Sequence, residues 1–75
     1  MFFDATDLKQ IEWAKRKTNS VWVLVNGSPT ELEAKEQRPV YFDQAGKLIA
    51  KFKIQQVPAI VSQESKKLKI MEELI

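Results

Sequence analysis

Cysteine and histidine are both absent from this chain of 75 residues. Without thiols there is no disulfide and no dithiol redox chemistry, and the usual ligands of zinc, haem and iron–sulfur clusters are missing. A domain of this length buries only about 60% of the surface that its unfolded chain exposes, so its core is marginal. We therefore expect no cofactor, and stability that comes from packing alone or from a partner covering apolar surface.

Long apolar runs are also absent. No stretch approaches the roughly 20 apolar residues of a membrane-spanning helix, so we expect no membrane insertion. Met1–Phe3 is followed at once by Asp4, which predicts that the chain carries no signal peptide. Twelve basic and ten acidic residues give a net charge of +2, which is weak evidence for a nucleic-acid-binding surface.

The first strand and helix are predicted at the start of the chain. Phe2-Phe3 is a short apolar pair, which we predict to be an edge strand. Asp7 is placed to cap a helix ending near Lys17, with Gln10 three residues later as in a capping box. Trp13 lies off the apolar face of that helix, at the edge of the core or outside it. That face is formed by Leu8, Ile11, Ala14 and the stem of Lys15.

The remaining segments complete an α/β pattern. Val21–Val25 is apolar on both faces, as in a central strand covered on both sides. Ser28 and Pro29 predict a helix start, with an N-cap followed by proline. The remaining predicted elements are strand Val40–Phe42, turn Asp43–Gly46, helical piece Lys47–Phe52, strand Ala59–Val61, polar turn Glu64–Lys67 and strand Leu68–Ile70. The predicted order is β-α-β-α-β-α-β-β in a single domain, residues 1–75.

Ile54–Pro58 has the pattern Ile-x-x-Val-Pro and stands between a short helix and a hairpin. In this arrangement the chain resembles a thioredoxin domain. The resemblance implies a reduced thioredoxin-like fold, with a mixed sheet, an antiparallel terminal hairpin and incomplete helical cover. It implies a cis peptide bond before Pro58, purely structural because no thiol faces it; a trans proline opening an edge strand is the alternative. Gly27 and Thr30 would stand where that fold places its two cysteines.

A further set of motifs extends over nearly the whole chain, and the run Arg38–Gln44 is long enough to make chance agreement improbable. The motifs are Asp4–Asp7, Gln10, Trp13-Ala14, Gly27–Pro29, Glu31-Leu32, Arg38–Gln44, Gly46–Leu48, Val57–Ala59 and Val61–Glu64. In these motifs the chain resembles the C-terminal domain of the TraW family, pilus-assembly proteins of F-type conjugative type IV secretion systems. The resemblance implies export to the periplasm, support of pilus assembly, mating-pair formation and plasmid transfer, and a partner called TrbC. It also implies that residues 1–75 are a C-terminal fragment of a longer exported protein.

Two interaction surfaces are predicted for a non-catalytic protein-binding domain. The first is a rim formed by Gly27, Ser28, Val57 and Pro58. The second is a sheet face left bare because the closing helix of a thioredoxin domain is missing, and its residues are Ile70, Met71 and Leu74. Large exposed apolar patches usually mark interaction sites. In the alternative interpretation, Glu72–Ile75 folds back as a frayed tail.

Catalysis is disfavoured by the candidate residues themselves. Ser28 has no histidine base, and although Lys35 or Lys53 could be imagined as a partner, a serine before a proline at a helix start is nearly always a cap. The candidate carboxylates are Asp4, Asp7, Asp43, Glu72 and Glu73. They show no spacing that demands an acid pair or a metal site, and we expect Glu72 and Glu73 to be solvated. We predict that the chain is not an enzyme and takes no small-molecule substrate.

Two other functions stay open. One is a chaperone or disulfide-isomerase relative that works without thiols of its own. The other is a single-stranded DNA-binding module, suggested by the lysines of the second half. Few arginines and aromatic residues accompany those lysines, so a solvated surface is the favoured interpretation. They are Lys47, Lys51, Lys53, Lys66, Lys67 and Lys69.

Overall fold

The computed structural model describes residues 1–17, 20–64 and 66–73. Within these ranges the chain forms an α/β fold in which a five-stranded mixed sheet packs with three helices, compatible with the predicted thioredoxin-like arrangement. The strands are β1 (Phe2–Asp4), β2 (Trp22–Asn26), β3 (Val40–Phe42), β4 (Ala59–Glu64) and β5 (Lys67–Glu72). The helices are α1 (Leu8–Lys15), α2 (Pro29–Glu36) and α3 (Lys47–Lys51), the last preceded by a 3₁₀ turn at Gln44–Gly46.

The strand order across the sheet is β3-β2-β1-β4-β5. β1, β2 and β3 run parallel, whereas β4 is antiparallel to both β1 and β5. The predicted mixed sheet and antiparallel hairpin are confirmed. The prediction of an edge strand at Phe2-Phe3 is wrong, because β1 lies in the centre of the sheet. Phe2 and Phe3 are 4% and 0% exposed, and each is buried on a different face of the sheet.

One face of the sheet is covered by both longer helices, and we call it the two-helix face. Phe3 packs edge-on against Trp22, with ring centroids 5.3 Å apart. Arg38 also lies over the Trp22 ring, with its guanidinium carbon 4.0 Å from the ring centroid. The buried residues of this face are Met1, Phe3, Trp13, Ala14, Trp22, Leu24, Leu32 and Val40.

Among the described residues, the opposite face is covered by the five-residue α3 and the segment after it alone, and we call it the one-helix face. Its buried apolar residues are Phe2, Val23, Ile54 and Ala59. A second group is only partly buried there: Val25, Ile49, Phe52, Val57 and Val61. The incomplete helical cover that the sequence predicts is therefore located on this face.

Helix α1 turns a different side to the core than its apolar spacing predicts. The buried residues are Gln10, Trp13 and Ala14, whereas Leu8 is 73% exposed. Asp7 caps the helix as predicted, accepting from the Lys9 N–H at 3.0 Å. Gln10 reaches further back than a capping box, because its side-chain oxygen accepts from the Asp4 N–H at 2.8 Å. Trp13 is 3% exposed and belongs to the core, so its predicted place at the edge of the core or outside it was wrong.

Candidate protein-docking groove

An open groove lies on the one-helix face, beside the segment that leads into β4. It has a volume of about 220 Å³, and its walls are mostly apolar. The lining residues are Val25, Ile49, Ile54, Gln55, Gln56 and Val57. Pockets for drug-sized ligands usually span about 300–1,000 Å³, so this groove suits one or two bulky side chains better than a cofactor.

Asp43 fixes the helix that forms one wall of the groove. It is 3% exposed, and its two carboxylate oxygens accept from the N–H groups of Leu48 at 2.7 Å and Ile49 at 2.9 Å. A helix of five residues cannot satisfy its own first N–H groups, so this carboxylate supplies partners that the helix lacks. The sequence predicted Asp43 as a turn residue, and the structure adds this capping role.

The opposite wall is the segment around the Val57–Pro58 bond, which is cis in the structure. The Gln55 N–H donates to the Glu72 carboxylate at 2.7 Å, and the Pro58 carbonyl accepts from the Glu73 N–H at 2.9 Å. The sequence predicted that Glu72 and Glu73 would be solvated. Glu72 is exposed, as predicted, and also accepts the hydrogen bond from Gln55, whereas Glu73 is half-buried, so the prediction is wrong for Glu73. Glu72 ends β5, and Glu73 follows it directly and continues the pairing through its hydrogen bond to Pro58. Successive residues of an extended segment point to opposite faces, so Glu72 lies beside the groove, whereas Glu73 accepts from the Trp13 indole N–H on the two-helix face.

A continuous segment beside the groove carries only positive charge. Residues 44–63 contain three lysines and no acidic residue. Lys47, Lys51 and Lys53 are exposed, and Lys53 immediately precedes the groove residue Ile54. None of these three ammonium groups has an ion pair with the residues that the structure describes. The wall formed by α3 and the residue pair after it is therefore positively charged at its outer surface.

The structure separates the two halves of the rim that the sequence predicted. Gly27 and Ser28 follow β2, whereas Val57 and Pro58 precede β4, and β1 lies between these strands. Val57 is half-buried and lines the groove, but Pro58 is less than 2% exposed and offers no side-chain surface. Ser28 caps α2 as predicted, accepting from the Glu31 N–H at 3.3 Å.

The same strand order corrects the placement of the cysteine positions at Gly27 and Thr30. In the thioredoxin arrangement the proline before β4 faces the redox motif. Of the two strands β1 and β2, it is β1 that lies beside β4. The turn that follows β1 is Ala5–Asp7, so this turn, and not the one after β2, occupies that place. Gly27 instead lies against Ala5, where a Cβ on residue 27 would come within 2.7 Å of the Ala5 Cβ.

The predicted sheet-face residues do not share one face. Ile70 is opposite Val61 on the one-helix face and is 38% exposed, whereas Met71 is opposite Ile60 on the two-helix face and is 44% exposed. Leu74 lies outside the described residues. Sequence reasoning missed the groove residues Val25, Ile49, Ile54, Gln55 and Gln56. The run without acidic residues could have marked the segment, but only the tertiary structure assembles the groove.

The described part of the chain contains no group of three or more acidic, histidine or cysteine residues placed to hold a metal ion. Over the same residues, no helix has the length and apolar character needed to cross a membrane.

Comparison with known proteins gives one informative relative. The chain is 42% identical over 65 residues to Protein TraW of Escherichia coli strain K12. The chain is a TraW-related domain. The match includes 81% of this chain but only 31% of TraW, so the chain spans about a third of that relative's length. No family model and no solved structure matches the chain.

Proposed function

We propose that this chain is a non-catalytic protein-binding domain that acts in conjugative pilus assembly and mating-pair formation. The observation that carries the binding role is the open apolar groove on a sheet face covered by one short helix. Half-buried Val25, Ile49 and Val57 line it, and exposed apolar Ile70 extends the same face. Concentrated apolar exposure of this kind marks interaction sites in soluble proteins.

The biological setting of the proposal rests on the relation to TraW. The resemblance to the TraW family implies pilus assembly in the periplasm and association with TrbC, so we propose the periplasm as the location and TrbC as the first partner to test. Because the match takes in only 31% of TraW, we further propose that the chain corresponds to the C-terminal domain of a longer exported protein.

The non-catalytic part of the proposal is supported by the roles of the polar side chains. Ser28 and Asp7 cap helices, Asp43 holds the start of α3, and Glu73 accepts from an indole N–H. These groups are engaged in local structure, and the chain has no histidine or cysteine to act as base or nucleophile.

Amide chemical-shift mapping with TrbC tests this function. We expect saturable shifts at the groove residues when the ¹⁵N-labelled chain is mixed with TrbC, and weaker binding by the variant Val57→Asp, which places a charge in the groove. Leu8→Asp is the matched control, because Leu8 is 73% exposed on α1, away from the groove. Equal TrbC binding by both variants would remove the groove from the proposal, and no shift anywhere would refute TrbC as partner.

The alternative functions have separate readouts. Repair of scrambled disulfides by this chain alone would favour the isomerase relative over the binding domain. The lysines of the groove segment are the observation that favours single-stranded DNA, and steeply salt-dependent binding of an oligonucleotide would support that function. Absence of binding at low salt would exclude it.

A further inference from the structure

We infer that the groove binds an acidic protein segment by enclosing a bulky apolar side chain while carboxylates contact the lysines of the adjacent wall. This inference rests on the proposed protein-binding function and names the chemistry of the partner. It is carried by two independent properties of the same place, namely an apolar cleft and an unbalanced charge beside it.

The size and lining of the groove indicate which side chain of the bound segment it can enclose. Its volume of about 220 Å³ lies below the range of pockets for drug-sized ligands. Ile49, Ile54 and Val57 supply aliphatic walls, which suit leucine, methionine or phenylalanine. Gln55 and Gln56 add the only polar side chains among the lining residues and can hydrogen-bond to the backbone of an extended segment.

The charge of the wall indicates which residues of the bound segment flank the enclosed side chain. Lys51 and Lys53 are exposed and have no ion pair with the described residues, and residues 44–63 contain no carboxylate that could oppose a second acidic group. Two carboxylates lie near this wall and keep their negative charge: Glu72, which accepts from the Gln55 N–H at 2.7 Å, and the buried Asp43 at the start of α3. The three lysines of the segment outnumber them, so the wall keeps a net positive charge. Complementary charge of this kind raises the association rate and selects partners, more than it adds affinity.

A nucleic acid fits the same place less well. Single-stranded nucleic acids bind to grooves in which aromatic side chains stack on bases, commonly with arginine. The groove has aliphatic walls, and Phe52 is turned toward Phe2, with ring centroids 6.1 Å apart. Neither arginine lies in the groove segment, since Arg16 follows α1 and Arg38 lies over Trp22.

Short peptides test the inference on the chain as it stands. The probe is a capped pentapeptide with leucine between two pairs of glutamates, together with its phenylalanine and tryptophan versions. We expect saturable amide shifts at Ile49 and residues 54–57, which disappear when the central residue is serine or the glutamates are glutamines. Raising the salt from 20 mM to 0.5 M should weaken binding, because exposed charges are screened within about 3–10 Å at high or moderate salt.

Charge reversal supplies the matched pair of variants. Lys51→Glu with Lys53→Glu should weaken binding of the acidic peptide roughly tenfold, given rim charges of this kind. Lys9→Glu with Lys35→Glu makes the same change in net charge on α1 and α2 and should leave the affinity unchanged. All four positions are exposed, so the fold should persist in both variants.

The outcomes separate this inference from the proposed function. If no peptide gives saturable shifts at 20 mM salt, or if both double variants bind alike, the acidic segment is refuted. If TrbC binds the chain and the Lys51→Glu/Lys53→Glu variant equally, the protein-binding function stands while the inference fails. Shifts at the groove with an oligothymidylate but with none of the peptides would overturn it in favour of nucleic acid.

Discussion

At the scale of single residues, Glu72 and Glu73 connect the last strand to both faces of the sheet. Glu72 accepts from the Gln55 N–H beside the groove, and Glu73 accepts from the Trp13 indole on the two-helix face. Trp13 is 3% exposed, so its N–H needs a partner within the protein. These adjacent carboxylates, at the end of β5 and directly after it, have different structural roles because neighbouring side chains of an extended segment point in opposite directions.

Replacing Glu73 with alanine should leave the Trp13 N–H buried and unpaired. We expect the free energy of unfolding to fall by about 1–3 kcal/mol, the usual cost of an unsatisfied buried donor. Urea denaturation measures the change, and the indole N–H resonance should shift. Glu72→Ala is the control, because that exposed carboxylate accepts only from a backbone group near the surface, and its loss should cost less than about 1 kcal/mol. Equal losses would contradict the role given to Glu73.

Gly27 is required for two reasons at once. Its φ of +104° is strained for any residue with a side chain, and a Cβ there would lie 2.7 Å from the Ala5 Cβ. We expect Gly27→Ala to lower the free energy of unfolding by about 2–4 kcal/mol, through backbone strain and overpacking together.

Gly46→Ala gives the comparison for that change. Gly46 has a φ of +68° and no atom within 4 Å of an added Cβ, so only the left-handed backbone cost of about 1–2 kcal/mol applies. Parallel urea denaturation of the two variants should therefore separate contact from conformation. A Gly46→Ala effect as large as that of Gly27→Ala would show that the contact with Ala5 is unimportant.

At the scale of elements, α3 is too short to be stable by itself and depends on a neighbouring carboxylate. Isolated helices shorter than about 12–15 residues are marginal in water, and α3 has five residues. Asp43 supplies acceptors for its first N–H groups, while Ile49 and the following Phe52 pack on the sheet. The groove wall is therefore only as stable as these few contacts.

Asp43→Ala should destabilise α3, the helix that forms one wall of the groove. We expect a loss of about 1–3 kcal/mol in the free energy of unfolding, since two part-buried N–H groups lose a charged acceptor. Hydrogen exchange at Leu48 and Ile49 should accelerate, whereas exchange at Leu32 on α2 should change only with global stability. Unchanged exchange at the α3 amides would show that packing alone holds the helix. Asp43→Asn keeps part of the acceptor capacity and should have an intermediate effect.

At the scale of the whole molecule, two small cores share their strands. β1 contributes Phe3 to the two-helix face and Phe2 to the one-helix face, and β2 is shared in the same way by Leu24 and Val23. Only the sheet itself separates the two cores. We therefore expect the domain to unfold as one cooperative unit, as small single domains usually do.

Phe52→Ala tests this coupling. Phe52 is half-buried on the one-helix face, so we expect a loss of about 1–3 kcal/mol, below the 3–5 kcal/mol typical of a fully buried phenylalanine. Both tryptophans lie on the other face, yet their fluorescence midpoint in urea should move together with that of the far-ultraviolet circular dichroism. Separate midpoints would mean that the two faces unfold independently.

Sequence patterns predicted the elements well but their positions less well. Turn and cap residues such as Asp7 and Ser28 act locally, so the starts of the helices could be found from the chain alone. The buried side of α1 could not, because Gln10 and Trp13 are oriented by contacts with Asp4 and Glu73. The groove was missed for the same reason: its walls come from residues 25, 49 and 54–57, which only the fold brings together.

The sequence by itself determined the class of fold, the order of elements, the lack of thiol chemistry and the relation to TraW, since these depend on composition, local spacing and motif identity. The tertiary structure decided which strand is central, which face lacks helical cover and which side chains form the groove. Those properties depend on contacts between distant segments. Phe2-Phe3 shows the difference, because two apolar residues alone fit an edge strand, whereas pairing with both β2 and β4 makes β1 the centre of the sheet.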